Sequence, residues 1–389
     1  MSSFEIELSE ISAYRNQGYQ LVDMRTETLR QYGFLPESIL VEQKKLLENY
    51  EAYKNEKMIL YCQKGEASLE LAEQLQEKGI EAVSLKGGYL AWLVDAMQKK
   101  SKQKEEKPFS LTVEESIRKR FHKKIWSKFT KAINTYELVK PGDKIAVCIS
   151  GGKDSMLMAK LFQELKRHNK FEFEVEFLVM DPGYSPANRM VIEENAKKLN
   201  VPITIFESDI FDSVFHVEKS PCYLCARMRR GHLYSKAKEL GCNKIALGHH
   251  YDDVIETILM GMLYGAQMQT MMPKLHSMNF EGMELIRPLY LIREDDIKAW
   301  RDENELYFIQ CACKFTDTCS SCQDDGQSNS KRLEIKKLIQ ELKKKNPFVE
   351  GNIFKSVENV NLSTVIAYKQ NGVRHHFLDD YDGEEAAEE

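Results

Sequence analysis

The stretch Ile145-Ala-Val-Cys-Ile-Ser-Gly-Gly-Lys-Asp-Ser155 decides the fold of the second half of this 389-residue chain. Its first five residues are apolar and predict a short buried strand, Ile145–Ile149. Beyond Ser155, leucines at positions 157, 161 and 165 recur at helical spacing. Between the strand and the helix lies the turn Ser150-Gly151-Gly152-Lys153-Asp154-Ser155. The stretch therefore predicts a strand, a glycine turn and a helix in direct succession.

The residue types of this turn suit the binding of a phosphate group. Gly151 and Gly152 let the backbone approach an anion without interference from a Cβ, and the start of the next helix offers unpaired N–H groups. Lys153 adds a positive charge, and Asp154 can hold a Mg²⁺ ion that bridges to phosphate. The Gly-x4-Gly-Lys-Ser/Thr spacing of a Walker A loop is absent. A tight turn that binds nothing is the alternative, but it does not explain the serines, the lysine and the aspartate together.

The remainder of the second half continues the alternation of strands and helices. Apolar runs predict further strands at Val175–Met180, Ile203–Phe206 and Ile245–Leu247. Asp252 and Asp253 follow the last of these strands, close to the carboxyl edge where the sites of α/β proteins form. A carboxylate there can hold Mg²⁺ or assist proton transfer, and it can equally cap the start of the next helix.

The cysteines favour metal or sulfur chemistry. Nine cysteines in a chain without a signal-peptide pattern argue against a disulfide framework. Six of them form the pairs Cys222/Cys225, Cys311/Cys313 and Cys319/Cys322. The Cys-x2-Cys spacing suits zinc or an iron–sulfur cluster and does not by itself distinguish them. A closed zinc site would combine the first pair with the third.

The N-terminal part shows the same alternation on a smaller scale. Tyr19–Asp23 and Met58–Tyr61 predict buried strands, and Ser68–Gly79 predicts a helix that ends at its glycine. Cys62 follows the second strand and precedes a short loop, whose backbone N–H groups can stabilise a thiolate or persulfide anion. These features predict a small α/β domain with a parallel sheet.

The composition is that of a globular protein with an uneven charge. A hydrophobic fraction of 42% and a charged fraction of 30% are ordinary values, and no apolar run approaches the ~20 residues of a membrane span. The N-terminus lacks a signal-peptide pattern, so we expect a cytoplasmic protein without membrane contact. The net charge of −5 conceals an acidic end and a basic segment. This segment predicts a helix whose cations form a solvated face or, beside a phosphate-binding domain, a surface for the RNA backbone. The cations of this basic segment are Arg118, Lys119, Arg120, Lys123, Lys124, Lys128 and Lys131.

The glycine turn resembles the PP-loop of the N-type ATP pyrophosphatases, which split ATP into AMP and pyrophosphate. Further motifs resemble the tRNA 2-thiocytidine synthetase family within that class. They are Cys222-x2-Cys225-x3-Arg229-Arg230-Gly231 and the segments Gly248–Thr257, Met272–Leu275 and Ile286–Leu289. The motifs occur in the order found in that family.

This resemblance implies ATP, Mg²⁺ and a [4Fe–4S] cluster as cofactors. The turn and Gly248 would bind the nucleotide, and Arg229, Asp252 and Asp253 would assist catalysis. Cys222, Cys225 and Cys311 would hold the cluster and leave its fourth iron open to carry sulfide. Cys311 follows a strand-like segment, Leu306–Ile309, as the third ligand of the family does, and Cys319 is the alternative. The implied reaction adenylates the C2 oxygen of tRNA cytidine 32, and sulfide then displaces AMP.

The N-terminal part resembles a rhodanese. Val22-Asp23-Met-Arg25 matches the Asp-x-Arg element of that family, and Leu85-Lys86-Gly87-Gly88-Tyr89-Leu-Ala-Trp92 matches its Gly-Gly-x-x-x-Trp signature. The usual Gly-His-Ile-Pro segment is Gly33-Phe34-Leu35-Pro36, and Ala67 replaces a common arginine. The resemblance implies that Cys62 carries a persulfide. An inactive rhodanese fold used for docking is the alternative.

These observations predict an α/β protein with two domains. A rhodanese-like sulfur-carrier domain (1–98) and a linker (99–110) precede a PP-loop, adenine nucleotide alpha hydrolase-like domain with a parallel sheet (111–370) and an acidic tail (371–389). The expected partners are the anticodon loop of tRNA and a cysteine desulfurase or other persulfide donor, with a homodimer as the expected assembly. The alternatives are formation of 2-thiouridine or lysidine, or a persulfide carrier or RNA-binding adaptor without ATP chemistry.

Overall fold

The computed structural model describes residues 4–102, 108–168, 171–208, 210, 221–309, 331–379 and 381. Of these, the residues up to Tyr251 and from Met272 to Ile309 belong to one compact unit. The others, 252–271 and those from Lys331 onward, belong to a second unit. The first unit contains two β-sheets with helices packed on them, as predicted from the sequence.

The N-terminal sheet consists of parallel strands in the order β1-β5-β4-β2-β3. Leu21, Ile59 and Leu60 are almost fully buried because helices cover both faces of the sheet. The strands are β1 Glu5–Ile6, β2 Tyr19–Asp23, β3 Ile39–Leu40, β4 Lys57–Tyr61 and β5 Glu81–Leu85. The helices are α1 Ile11–Asn16, α2 Glu27–Arg30, α3 Gln43–Glu48, α4 Glu66–Glu77 and α5 Gly88–Lys102. The predicted strands and the helix before Gly79 are thereby confirmed.

The second sheet has the order β10-β11-β9-β6-β7-β8, and β10 is its antiparallel edge strand. Its strands are β6 Lys144–Ile149, β7 Glu174–Asp181, β8 Ile203–Glu207, β9 Lys244–Ala246, β10 Lys274–His276 and β11 Glu284–Ile286. The chain proceeds from β6 to β7 and β8, and then returns to β9 on the other side of β6. This reversal creates a crevice at the carboxyl end of β6, where ligands of open α/β sheets bind.

The helices around this sheet are α6 Phe109–Arg118, α7 Ser127–Thr135, α8 Lys153–His168, α9 Pro186–Lys198, α10 Pro221–Glu239, α11 Tyr251–Gly265 and α12 Glu294–Glu303. The prediction that the basic segment forms one helix is wrong. Helix α6 ends at Arg118, and a π-helical turn, His122–Trp126, precedes α7. The wider turn keeps Phe121, Ile125 and Phe129 buried in the core.

The two sheets of the first unit share one hydrophobic core. Helix α5, which follows the N-terminal sheet, packs against α9, which flanks the second sheet. The predicted linker at 99–110 is helical at both ends, since α5 continues to Lys102 and α6 begins at Phe109. Lysine is a good helix former, so a lysine-rich stretch can extend a helix that is already packed.

A buried ion pair joins α6 to α8. The ammonium of Lys160 donates hydrogen bonds to Glu114 at 2.7 Å, to Gln163 at 2.7 Å and to the carbonyl of Leu199 at 2.8 Å. Its side chain is fully buried and that of Glu114 is 1% exposed. Three acceptors for three N–H donors compensate for burying the charge.

The second unit contains most of α11, helices α13 Lys331–Lys345 and α14 Val349–Ser356, and strands β12 Ala367–Gln370 and β13 Val373–His376. The two strands form an antiparallel hairpin. The acidic tail predicted from residue 371 therefore begins within this hairpin. No helix in the part of the chain that the structure describes is long and apolar enough to cross a bilayer.

Candidate nucleotide and sulfur-carrier sites

The predicted glycine turn lies at the carboxyl end of β6, in the crevice of the second sheet. Ser150, Gly151 and Gly152 join β6 to α8, which begins at Lys153. The hydroxyl of Ser155 donates to the carbonyl of Gly152 at 3.0 Å and accepts from the backbone N–H of Ser150 at 3.2 Å. These two bonds close the turn around the N-terminus of α8.

Gly151 is required by both its conformation and its surroundings. Its φ of +86° lies in the left-handed region that favours glycine. A Cβ at this position would lie 2.6 Å from Cγ1 of Ile192 and 2.8 Å from Cδ1 of Ile309. Gly152 is different, because the nearest atom to a Cβ there is the hydroxyl of Ser150 at 3.7 Å. A Cβ at position 152 would therefore make ordinary van der Waals contacts with the described residues and no collision.

Lys153 is enclosed by carboxylates. Its ammonium lies 3.1 Å from Asp154 Oδ2 and 3.3 Å from Glu294 Oε1, and its side chain is 7% exposed. Burial lowers the pKa of Lys153, but the charges of Asp154 and Glu294 more than offset it, so the pKa is above its ordinary value. Lys153 is therefore a permanent cation at the start of α8.

Asp154 has one carboxylate oxygen that the described residues do not satisfy. Its Oδ1 is buried and has no hydrogen-bond partner in the described part of the chain. Nε2 of His250 lies 4.0 Å from this oxygen. A buried unsatisfied oxygen beside a phosphate-type turn suits a divalent cation. Gly248 packs on the same helix start, because a Cβ there would lie 3.3 Å from the backbone nitrogen of Ser155.

Arg229 reaches the same edge of the sheet from α10. Its Nη2 donates to the hydroxyl of Tyr184 at 3.2 Å. Tyr184 follows β7, where Asp181 Oδ1 accepts backbone N–H bonds from Gly183 and Tyr184 at 2.9 and 2.6 Å. Since β7 pairs with β6, this turn lies at the carboxyl edge that also holds Ser150.

The predicted metal ligands are only partly within the described structure. Cys222 and Cys225 lie in the first turns of α10. Cys311 and its alternatives Cys313, Cys319 and Cys322 lie outside the described residues. Among the side chains that the structure describes, no group of three or more His, Cys, Asp or Glu residues could hold a metal ion.

Asp252 and Asp253 lie in the first turn of α11. Within the second unit, Nη1 of Arg332 donates to Asp253 Oδ1 at 2.8 Å and to Glu256 Oε2 at 3.4 Å. Asp253 thus has a cationic partner on α13 that the local sequence pattern did not indicate.

Cys62 lies in a loop that can stabilise an anion. The backbone N–H of Gly65 donates to Sγ of Cys62 at 3.1 Å, and the hydroxyl of Ser68 donates to it at 3.4 Å. Gly65 precedes α4, so the N-terminus of that helix faces the loop. A Cβ on Gly88 would collide with the carbonyl oxygen of Cys62, which explains the second glycine of the Gly87-Gly88 pair.

The Asp-x-Arg element makes hydrogen bonds that order the loop after Cys62. Arg25 pairs with Asp23 at 2.7 Å, donates to the carbonyl of Gly33 at 2.8 Å and approaches Gln63 at 3.4 Å. Asp23 also accepts a hydrogen bond from the hydroxyl of Tyr61 at 2.8 Å. Arg25 and Asp23 are buried, so this pair orders the loop after β4 rather than meeting a substrate.

The other free thiols of the described chain are buried. Burial raises the pKa of Cys148 to about 12 and that of Cys242 to about 11. Such thiols are inert at neutral pH, because the thiolate is the reactive form. Cys62 is the partly exposed thiol among the three.

The basic segment is largely neutralised by carboxylates. Arg118 pairs with Glu164 at 3.2 Å, and Lys124 and Lys128 pair with Asp296 at 3.6 and 3.2 Å. Lys119 pairs with Glu115, and Arg120 pairs with Glu303. For Lys123 and Lys131 the described residues offer no carboxylate within ion-pair distance.

Comparisons with known proteins agree with this arrangement. Residues 119–314 match the family model of the PP-loop domain, and residues 8–95 match that of the rhodanese-like domain. A tRNA-cytidine(32) 2-sulfurtransferase of Anaeromyxobacter dehalogenans is 34% identical over 244 residues, which are 62% of this chain and 80% of the relative. Its counterpart from Coxiella burnetii is 34% identical over 254 residues, which are 64% of this chain and 95% of the relative.

Among solved structures, the chain is similar to the U34-tRNA thiolase NcsA from Methanococcus maripaludis with its [4Fe-4S] cluster. The identity is 22%, the TM-score is 0.47, and the match covers 60% of this chain and 77% of that one. The rhodanese-like domain protein from Staphylococcus aureus is 30% identical with a TM-score of 0.21 over 23% of this chain and 89% of that one.

The resemblance and fold class predicted from the motifs are confirmed by the matches to the two family models and by the curated relatives. The chain belongs to the tRNA-cytidine(32) 2-sulfurtransferase family, as a tRNA-thiolating enzyme whose PP-loop domain is joined to a rhodanese-like domain.

Proposed function

We propose that this enzyme 2-thiolates cytidine 32 of tRNA through an adenylated base, with sulfur supplied from a persulfide on Cys62. The observation that carries the proposal is the turn after β6, where Lys153 pairs with Oδ2 of Asp154 at the start of a helix and Oδ1 of Asp154 has no partner among the described residues. Such a turn can bind a phosphate group at the helix N-terminus and Mg²⁺ at the carboxylate.

In this mechanism, the turn from Ser150 to Ser155 and Gly248 hold the phosphates of ATP. Oδ1 of Asp154 would hold Mg²⁺, and Lys153 would contribute positive charge beside the phosphates. The C2 oxygen of the cytidine attacks the α-phosphorus, and pyrophosphate leaves with the electrons of the broken P–O bond. Arg229 stabilises the negative charge that develops on the α-phosphate. Asp252 is the residue we assign to proton transfer, and Asp253 is oriented by Arg332.

Cys222, Cys225 and Cys311 would hold the [4Fe–4S] cluster, which would supply a coordination site for sulfide. The thiolate donors suit this group. Positions 222, 225 and 229 follow the i, i+3, i+7 spacing of one helix face, and Arg229 reaches the carboxyl edge of the sheet. Cys311 follows the segment that ends at Ile309, which packs against Gly151. The helix with Cys222 and Cys225 and the segment before Cys311 therefore each contain a residue, Arg229 or Ile309, that lies at the nucleotide crevice.

Cys62 serves as the sulfur carrier. Its thiolate attacks the outer sulfur of a donor persulfide, such as that of a cysteine desulfurase, and the donor leaves as a thiolate. Delivery of this outer sulfur as sulfide needs two electrons, which a thiol reductant supplies while Cys62 returns to the thiol. The N–H of Gly65 and the hydroxyl of Ser68 stabilise the anionic states. Sulfide then adds at C2 of the adenylated base and AMP leaves.

Nucleoside mass spectrometry tests this proposal. In a strain without 2-thiocytidine, the wild-type chain should restore this nucleoside, and Asp154→Ala or Cys222→Ser should not. A tRNA with uridine at position 32 should remain unmodified. Formation of 2-thiouridine or lysidine would replace the proposed substrate, and full activity of Asp154→Ala would indicate an adaptor without ATP chemistry.

Metal analysis after anaerobic purification tests the cluster separately. Iron and acid-labile sulfide should be present in the wild-type protein and absent from Cys225→Ser. One zinc ion per chain in place of iron would indicate the closed zinc site instead.

A further inference from the structure

A tyrosine of the rhodanese-like domain reaches the nucleotide turn. The Nζ atom of Lys153 lies 5.8 Å from the ring centroid of Tyr32. Tyr32 belongs to the turn after α2, whereas Lys153 begins α8 in the PP-loop domain. The face of an aromatic ring attracts an ammonium group at this distance. The two domains therefore meet at the cation that we assign to ATP.

The surroundings of Lys153 make this contact consequential. Asp154 and Glu294 pair with the ammonium, and the side chain is almost completely buried. A ring at the boundary of such a cluster keeps water away from it. Electrostatic attraction grows as water is excluded, since the effective dielectric constant falls.

Further contacts fix the position of the turn that carries Tyr32. The carbonyl of Gly33 accepts a hydrogen bond from Arg25 at 2.8 Å. A Cβ on Gly33 would lie 3.4 Å from the ring of Tyr307, which belongs to the PP-loop domain. The ring of Tyr307 meets that of Trp92 edge to face at 5.7 Å. Asn195 on α9 donates to the carbonyl of Tyr307 at 2.9 Å. Both sides of the contact are thus held in place.

We propose that docking of the rhodanese-like domain completes the ATP site, with Tyr32 as the residue that positions the ammonium of Lys153. This inference rests on the proposed function, because it requires ATP to bind at Ser150–Ser155. Binding of the nucleotide and docking of the sulfur-carrier domain then strengthen each other by the same factor. The enzyme would hold ATP tightly only while its sulfur carrier is in place.

Calorimetry with the full chain tests this coupling. The ligand is a non-hydrolysable ATP analogue with Mg²⁺, and the variants are Tyr32→Leu and Tyr32→Phe. Tyr32→Leu should bind the analogue about three- to tenfold more weakly. Its affinity should also fall more steeply with salt, because the site becomes accessible to water. Tyr32→Phe keeps the ring and should bind within about twofold of wild type.

Tyr50→Leu is the matched control. The Nζ atom of Lys78 lies 3.8 Å from the ring centroid of Tyr50, so this variant removes a similar contact inside the rhodanese-like domain. It should bind the analogue as wild type does. A loss as large as that of Tyr32→Leu would indicate general destabilisation of the domain and overturn the inference.

Hydrogen exchange of the wild-type protein gives a readout that needs no variant. The analogue should slow exchange of the amides at 27–34 and leave those at 50–54 unchanged. If the wild type binds no analogue, the proposed function fails. If it binds, but 27–34 gains no protection or Tyr32→Leu binds equally well, the coupling alone is refuted.

Discussion

The side chain of Ile309 occupies the space that a side chain on Gly151 would need: a Cβ at position 151 would lie 2.8 Å from Cδ1 of Ile309. A side chain is therefore excluded at Gly151, whereas a Cβ at Gly152 would make only ordinary contacts with the described residues. Gly151 is thus needed for the fold of the turn, whereas we expect Gly152 to be needed for the ligand. Alanine substitutions at the two positions can separate these requirements.

We expect Gly151→Ala to lower the free energy of unfolding by about 2–4 kcal/mol, because it adds backbone strain to a steric clash. Gly152→Ala should unfold at nearly the wild-type temperature but bind ATP at least tenfold more weakly, since its Cβ would lie beside the phosphates that we assign to this turn. Thermal unfolding and calorimetry measure the two effects. Equal loss of stability in both variants would contradict this separation.

The free thiols should differ sharply in reactivity. At pH 8, iodoacetamide should modify Cys62 in the folded protein and leave Cys148 and Cys242 unmodified, because burial raises the pKa of both buried thiols. A higher pKa means a smaller thiolate fraction at this pH. Peptide mass spectrometry before and after unfolding in urea reads out each site. Ser68→Ala should slow modification of Cys62, and rapid modification of Cys148 in the folded protein would contradict the burial argument.

Arg229 should matter for chemistry more than for nucleotide binding. Arg229→Lys retains a charge but loses the planar donor group, so we expect the turnover number to fall about 100-fold while the KM for ATP changes little. Tyr184→Phe removes only the hydrogen bond to Arg229, and its effect should stay below about tenfold. Initial rates of AMP formation with tRNA measure both. Wild-type turnover of Arg229→Lys would remove this residue from the mechanism.

The contribution of the basic segment to tRNA binding should depend on which cations are paired. Lys123→Ala with Lys131→Ala should weaken tRNA binding and reduce the slope of log affinity against log salt by about 1–2. Lys124→Ala is the matched control, since Lys124 pairs with Asp296. Filter binding at several salt concentrations distinguishes them. An identical slope for the double variant and wild type would place the tRNA elsewhere.

The buried pair of Glu114 and Lys160 should be a large determinant of stability. Glu114→Ala leaves the Lys160 ammonium without its carboxylate, which should lower the free energy of unfolding by about 3–5 kcal/mol. Adding Lys160→Met should recover much of this loss, because an apolar side chain of similar length fits the buried position. Urea unfolding of the two single variants and the double variant measures the coupling.

Local patterns in the sequence were sufficient for the strands and for the glycine turn. The apolar run before Ser150 predicts β6 to within one residue, because a strand buried on both faces needs such a run. The position of Cys62 after β4 and before α4 is likewise a local property. Both candidate sites could therefore be predicted from short stretches.

The partners of these residues could not be predicted in the same way. Glu294 pairs with Lys153, and His250 lies near Asp154. Tyr184 accepts a hydrogen bond from Arg229. In each case the two residues come from distant parts of the chain. No periodicity or motif marks such a contact, since it depends on how helices pack. The basic segment illustrates the same limit: its charge predicts an RNA surface, but Asp296 and Glu303 on α12 neutralise much of it.

The segment Leu306–Ile309 contacts the rhodanese-like part through Tyr307 and the nucleotide turn through Ile309. Deleting the first 98 residues would consequently do more than remove a sulfur carrier. It would leave the aromatic ring of Tyr307 exposed to water beside the ATP turn and withdraw support from the stretch that leads to Cys311. The N-terminal part thus covers part of the PP-loop domain in this chain, and its removal would change the surface of that domain as well as the supply of sulfur.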